Sequence, residues 1–99
     1  MVYHGIKFDT EKLAEFCRQH GIRKLSFFGS ILRDDFRPDS DIDILVEFSG
    51  ATPSLLDLGG MQVELSALLG REIDLKTPGF LSHHFREQVL REARTAYAA

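Results

Sequence analysis

GSILRDDFRPDSDIDILVEF, residues 29–48, is the stretch on which the reading of this chain turns. Its second half alternates. Ile42, Ile44 and Val46 fall on one face of an extended segment, and Asp41, Asp43, Leu45 and Glu47 on the other. Asp41 to Phe48 therefore reads as a strand with an aliphatic core face and carboxylates at the start of the opposite face. The first half opens on Gly29-Ser30, directly after RKLSFF (Arg23–Phe28), a run whose aromatics favour a strand. A strand that breaks on glycine and enters a helical turn gathers unpaired backbone N–H groups. Glycine lets that backbone approach a ligand closely, and N–H groups at a helix start suit phosphate oxygens. Ile31 to Phe36 reads as a short helix or turn, and Arg37-Pro38-Asp39-Ser40 as a loop, since proline and small polar residues favour turns.

Asp9 and Thr10 are N-cap candidates and Gly21 a helix terminator. Leu13, Phe16, Cys17 and His20 recur at helical spacing between them, which predicts a helix over residues 10–20. Ser54 caps a second predicted helix whose stripe is Leu55, Leu58, Met61, Leu65, Leu68 and Leu69, ended by Gly70. REIDLK (Arg71–Lys76) reads as a third strand, with Ile73 and Leu75 on one face and Asp74 on the other with Glu72 and Lys76. Thr77-Pro78-Gly79 is a turn. Ser82 is placed to cap a last helix carrying Phe85, Val89 and Leu90 and running to about Tyr97. The order α-β-(short α)-β-α-β-α predicts an α/β (α+β) fold: a small three-stranded mixed sheet flanked by helices, in one domain over residues 1–99.

Asp41, Asp43 and Asp74 each lie opposite an aliphatic face. Like charges gathered there repel, and each raises the others' affinity for protons. A divalent cation relieves the repulsion and keeps the carboxylates ionised. Residues i and i+2 of a strand point the same way about 6.6–7 Å apart, so Asp41 and Asp43 can converge on one site. Such a site bridges two hard cations about 3.5–4 Å apart, and Mg²⁺, which shares its shell with substrate phosphates, suits it. Asp-x-Asp decides little by itself in a chain with eight aspartates. The Gly29-Ser30 turn upstream and the third strand carboxylate downstream make the combination specific.

Here the sequence resembles the nucleotidyltransferase superfamily related to DNA polymerase β. Gly29-Ser30, ten further residues and Asp41-Ile42-Asp43 look like that superfamily's signature. The chain length and the stretch at 29–48 look specifically like the minimal nucleotidyltransferases. In bacteria and archaea these are typically encoded beside a helical HEPN-domain toxin and act as its antitoxin. The resemblance implies the polymerase β-like fold and a nucleotidyltransferase that moves a nucleoside monophosphate, AMP from ATP, onto a hydroxyl of the partner protein, such as that of a tyrosine. It implies that Gly29 and Ser30 hold the β,γ-phosphates and that Asp41 and Asp43 bind two Mg²⁺ ions. It further implies that Asp74 ligates the second metal and orients or deprotonates the acceptor. Arg33 and Ser40 are adjacent to the motif and are taken with the nucleotide-binding set. Many relatives carry glycine where this chain has Asp34, so Asp34 is expected to face solvent, away from the triphosphate.

Composition bounds the alternatives. Of 99 residues, 43% are hydrophobic and 27% charged, the balance of a folded globular chain. A net charge of −3 disfavours general DNA or RNA binding. No apolar run approaches the roughly 20 residues of a membrane span, and the first residues lack a signal-peptide core. With the single Cys17, a cytoplasmic setting is expected. Cys17 reads as core, His83 and His84 as a solvated helix start, and Tyr97 as an interface candidate. Self-association into a homo-oligomer is left open. Two rival readings are an antitoxin that masks its partner with a decayed site, and a different acidic metal enzyme such as an aspartyl phosphatase or nuclease. The latter has no use for Gly29-Ser30.

Overall fold

The computed structural model describes residues 1–99. Strands β1 (Val2–Tyr3) and β2 (Ile6–Lys7) form a small hairpin. Helix α1 (Thr10–His20) leads into β3 (Ile22–Phe28) and a single 3-10 turn (Gly29–Leu32). Strand β4 (Ile42–Phe48), helix α2 (Leu55–Leu69) and strand β5 (Ile73–Lys76) follow. A 3-10 turn (Pro78–Phe80), helix α3 (Arg86–Glu92) and strand β6 (Arg94–Ala98) complete the chain.

Local chemistry sets the helix ends. The Asp9 carboxylate accepts hydrogen bonds from the N–H groups of Glu11 and Lys12, and Gly21 closes α1 at φ +67°. Ser54 and Gly70 do the same for α2. The predicted spans of these two helices match the observed ones.

The main sheet runs β5-β4-β3-β6. β3 pairs antiparallel with β4 and with β6, whereas β4 and β5 are parallel and joined through α2. A parallel pair needs such a crossover because its strands start at the same end. On one face, Leu25 and Phe27 of β3, Ile42, Ile44 and Val46 of β4, and Ile73 and Leu75 of β5 pack against Leu13, Phe16 and Cys17 of α1 and Leu58, Met61 and Leu65 of α2. The opposite face carries only a small cluster, Phe28, Leu45 and Leu81, with Val89 and Ala93 against it. That second face is where the carboxylates lie.

β5 is an edge strand, and its outward N–H groups are occupied from α2. Ile73 N–H donates to Ser66 Oγ at 3.2 Å and Leu75 N–H to Gln62 Oε1 at 2.9 Å. An edge whose donors are taken is a poor template for a foreign strand.

Three expectations need correction. The sheet has four strands, not three, because the chain does not stay helical to Tyr97. α3 ends at Glu92, and Arg94–Ala98 pairs with the free edge of β3, placing Tyr97 opposite Leu25. Tyr97 is thereby half-buried against the main core. Ser82 does not cap α3 through its side chain; its carbonyl accepts from Phe85 and Arg86. Finally, the stripe on α2 is narrower than predicted. Leu55 and Leu68 are exposed, leaving Leu58, Met61 and Leu65 as its buried positions.

Candidate active site

Asp41, Asp43 and Asp74 are brought to one end of the β4–β5 pair. In the parallel register Asp43 is the direct partner of Asp74, so both side chains leave the sheet on the same face. Asp41 sits just before β4, exposed, in position to act electrostatically on Asp43. Asp43 and Asp74 are half-buried. Burial is the main cause raising the Asp43 carboxyl above its usual range. The Asp74 charge adds to the rise, Lys76 opposes it, Asp41 adds to it and Arg33 opposes it.

Gly29 meets this cluster from the other side. Phe28 pairs with Asp43 across β3 and β4, so the 3-10 turn begins beside the carboxylate. Gly29 sits at φ +74°, and a Cβ placed there would run into the Asp43 carboxylate, only 3.0 Å from its Cγ. Both the backbone angle and the space demand glycine. Ser30 follows, half-buried, in the same turn.

The loop between Ser30 and Asp41 is pinned by residues distant in sequence. His4 Nε2 lies 2.9 Å from the Ile31 carbonyl, and its ring stacks on Phe36 at 4.9 Å. The Arg71 guanidinium covers the Phe36 ring at 5.2 Å and donates to the Pro38 carbonyl at 2.8 Å. Ser40 Oγ accepts from the Arg37 N–H at 3.0 Å and so holds the turn that leads into β4. Arg33 is exposed and paired with Asp35 at 3.3 Å. Asp34 faces solvent, as expected. Phe27 is core, and Phe28 lies on the carboxylate face.

Residues 10–96 match the nucleotidyltransferase domain. The chain belongs to the nucleotidyltransferase domain family. It is 40% identical over 83 residues to the protein adenylyltransferase MntA of Thermococcus cleftensis, covering 84% of this chain and 83% of that one. A Methanocaldococcus jannaschii protein, provisionally named a protein adenylyltransferase, is 40% identical over 82 residues, covering 83% and 87% of the two chains. A solved structure provisionally assigned as a minimal nucleotidyltransferase superposes with a TM-score of 0.71 at 39% identity, covering 85% of each chain. A toxin–antitoxin complex crystallised with AMP-PNP shares the fold at a TM-score of 0.77 and 20% identity, covering 93% of this chain and 75% of its own.

The arrangement is open. No three His, Cys, Asp or Glu side chains form a ready-made metal cage. Lys76 stands two residues after Asp74, and its Nζ lies 3.2 Å from Asp74 Oδ1. The alternation of REIDLK places Lys76 on the Asp74 face, but the pattern alone does not show that the two pair. The chemistry of the set still suits divalent cations: two carboxylates in register, one disfavoured as an anion by its surroundings, beside a glycine turn that no Cβ can enter. His83 and His84 are exposed on the approach to α3 and join no such group.

Proposed function

We propose that the chain is a metal-dependent protein adenylyltransferase that transfers AMP from ATP to a hydroxyl of a partner, and that it serves as the antitoxin of a HEPN-domain toxin. The observation that carries this reading is the juxtaposition of Gly29, in the turn that leaves β3, with Asp43 on β4 and Asp74 on β5. The relatives named protein adenylyltransferases and the toxin–antitoxin complexes of the same fold support it.

Gly29 and Ser30 hold the β,γ-phosphates with backbone N–H groups and a hydroxyl. Arg33 and Ser40 flank that cradle, Ser40 by fixing the turn and Arg33 by supplying a cation near Asp43. Asp41, Asp43 and Asp74 would hold two Mg²⁺ ions, which when bound stabilise charge on the entering and leaving oxygens. Asp74 orients the acceptor hydroxyl and takes its proton. The acceptor oxygen forms a bond to the α-phosphorus while the bond to the β-phosphate oxygen breaks, and pyrophosphate leaves. Positioning and electrostatics dominate, since no covalent intermediate on the protein is required.

The face around Asp43 and Asp74 is not enclosed. The larger hollows lie elsewhere, between α1 and α2 and beyond the far end of β4. An open site admits a hydroxyl carried on another folded protein, which suits a protein acceptor better than a small one.

The toxin–antitoxin complexes of the same fold also support a second reading, in which the chain neutralises its partner by binding alone. One experiment separates the two. The chain is incubated with labelled ATP, Mg²⁺ and the HEPN protein encoded beside it, with Asp41→Asn as control, and the partner's mass is measured. A gain of one AMP, lost in Asp41→Asn, with release of pyrophosphate supports transfer. An intact complex with an unmodified partner supports binding alone.

A further inference from the structure

The pairing of Lys76 with Asp74 has a role beyond holding β5. Asp74 faces Asp43 in register, and Asp41 adds a third negative charge nearby. In the nucleotide-free chain these carboxylates need a counter-charge. Lys76 is the cation within ion-pair distance of the cluster: Nζ lies 3.2 Å from Asp74 Oδ1, and both side chains are close to two-fifths exposed. Arg33, the other cation acting on Asp43, spends its guanidinium on Asp35.

Its position also says what Lys76 does not do. β5 lies on the side of β4 opposite β3, and the Gly29-Ser30 turn leaves from β3. In register Lys76 is level with Leu45, two positions further from the cradle than the Asp43–Asp74 pair. A lysine contributed to clamp the β,γ-phosphates belongs on the β3 side. Lys76 stands on the far side, against Asp74.

We propose that Lys76 is a built-in counter-ion that occupies Asp74 while the site is empty and gives this carboxylate up when a divalent cation binds. The proposal rests on the metal-dependent reading above and adds a positioning residue to it. A fixed positive charge against one ligand competes with an incoming cation, so Lys76 weakens metal binding to the empty site. In exchange it keeps three carboxylates from repelling one another, and it holds Asp74 on the face where it is needed. Because both partners are partly exposed, solvent screens the pair and the competition is modest.

The test is a titration of the nucleotide-free protein with Mn²⁺, followed by electron paramagnetic resonance, on wild type, Lys76→Met, Lys76→Arg and Asp74→Asn. Lys76→Gln serves if the methionine variant does not fold. Removing the lysine charge is expected to tighten Mn²⁺ binding roughly three- to tenfold, the scale of a partly screened charge close to a divalent cation. Lys76→Arg should bind as wild type does, and Asp74→Asn more weakly. Thermal melting should show Lys76→Met lowered in metal-free buffer and recovered by Mn²⁺. A packing role for Lys76 would lower the melting temperature and leave metal affinity unchanged, and that result overturns the proposal while wild-type binding keeps the metal reading intact. If wild type itself binds no Mn²⁺ with or without ATP, the metal reading fails and the proposal falls with it.

Discussion

Asp43 on β4 stands directly opposite Asp74 on β5, in the one parallel pairing of the four-stranded sheet. Two carboxylates side by side on a half-buried face destabilise the chain when both are ionised. Burial and then the Asp74 charge push the Asp43 carboxyl up, against the smaller opposing pull of Lys76. A carboxyl raised in the folded state binds its proton more tightly there than in the unfolded chain. Its contribution to stability is therefore full below the ordinary value of 3.8 and declines as pH rises through the folded value.

Asp43→Asn removes that penalty. In metal-free buffer at neutral pH the variant should melt above wild type, by about 4–8 °C for each kcal/mol gained in a domain of this size. It should also lose AMP transfer. Stability gained at the expense of activity is the expected signature of a residue kept for function. Calorimetry at pH 7 and at pH 4 checks the sign, because the advantage of the variant should shrink toward the lower pH. An unchanged or lowered melting temperature at pH 7 would count against the electrostatic account.

Gly29→Ala should fail for two reasons at once. The backbone at φ +74° costs an L-residue about 1–2 kcal/mol, and the added methyl must displace the Asp43 carboxylate. A melting temperature several degrees lower is expected, with ATP affinity reduced by an order of magnitude or more. Isothermal titration with Mg-ATP reads the second effect. A variant that folds and binds ATP normally would remove Gly29 from the nucleotide cradle.

The pattern that makes the site legible is local. Gly29-Ser30, Asp41 and Asp43 lie in one stretch, and the period-2 alternation of DIDILVEF assigns the faces correctly. α1 is legible to the residue because Asp9 and Gly21 mark its ends chemically. What the pattern misses is decided at long range. REARTAYAA carries helix formers, and its last residues extend only because β3 has an unpaired edge to offer. The hairpin of β1 and β2 turns on His4 and Gly5, both at positive φ, with too short a flanking pattern to announce it. The contacts of His4 and Arg71 with Phe36 join residues more than thirty positions apart, and no spacing rule reaches them.

Arg71 tests that long-range support. It holds the loop before Asp41 through Pro38 and Phe36, and its buried Nε has no protein partner. Arg71→Ala should cost about 1–2 kcal/mol, the scale of one charged hydrogen bond and a partly buried cation–π contact. The looser loop should weaken ATP binding several-fold with little effect on the α2 core. Arg71→Lys should recover only part of this, because an ammonium cannot both lie flat on Phe36 and reach Pro38. Melting curves and ATP titrations on the two variants separate the losses. Equal behaviour of alanine, lysine and wild type would mean that the loop needs no brace.

Cys17 provides a probe of the core on which the site is built. The thiol is fully buried in α1, and burial, opposed slightly by Arg18, pushes it from its ordinary 9.0 up to about 12. A neutral buried thiol is a poor nucleophile, so a disulfide reagent at pH 8 should modify the native chain only as fast as it opens. The rate should rise in parallel with unfolding as denaturant is added. The raised value has a second consequence, with its sign fixed by linkage. Between pH 9.0 and about 12 the unfolded chain releases this proton first, so the folded state loses stability across that window, by up to about 4 kcal/mol for a rise of this size. Lysines and tyrosines titrate in the same range, and the comparison must therefore be with Cys17→Ala, which lacks only the thiol. Wild type should fall toward the variant, or below it, as pH climbs past 9.0, although it is the more stable of the two at pH 7. Parallel stability curves for the two proteins across the alkaline range would show that Cys17 ionises as freely in the folded chain as in the unfolded one.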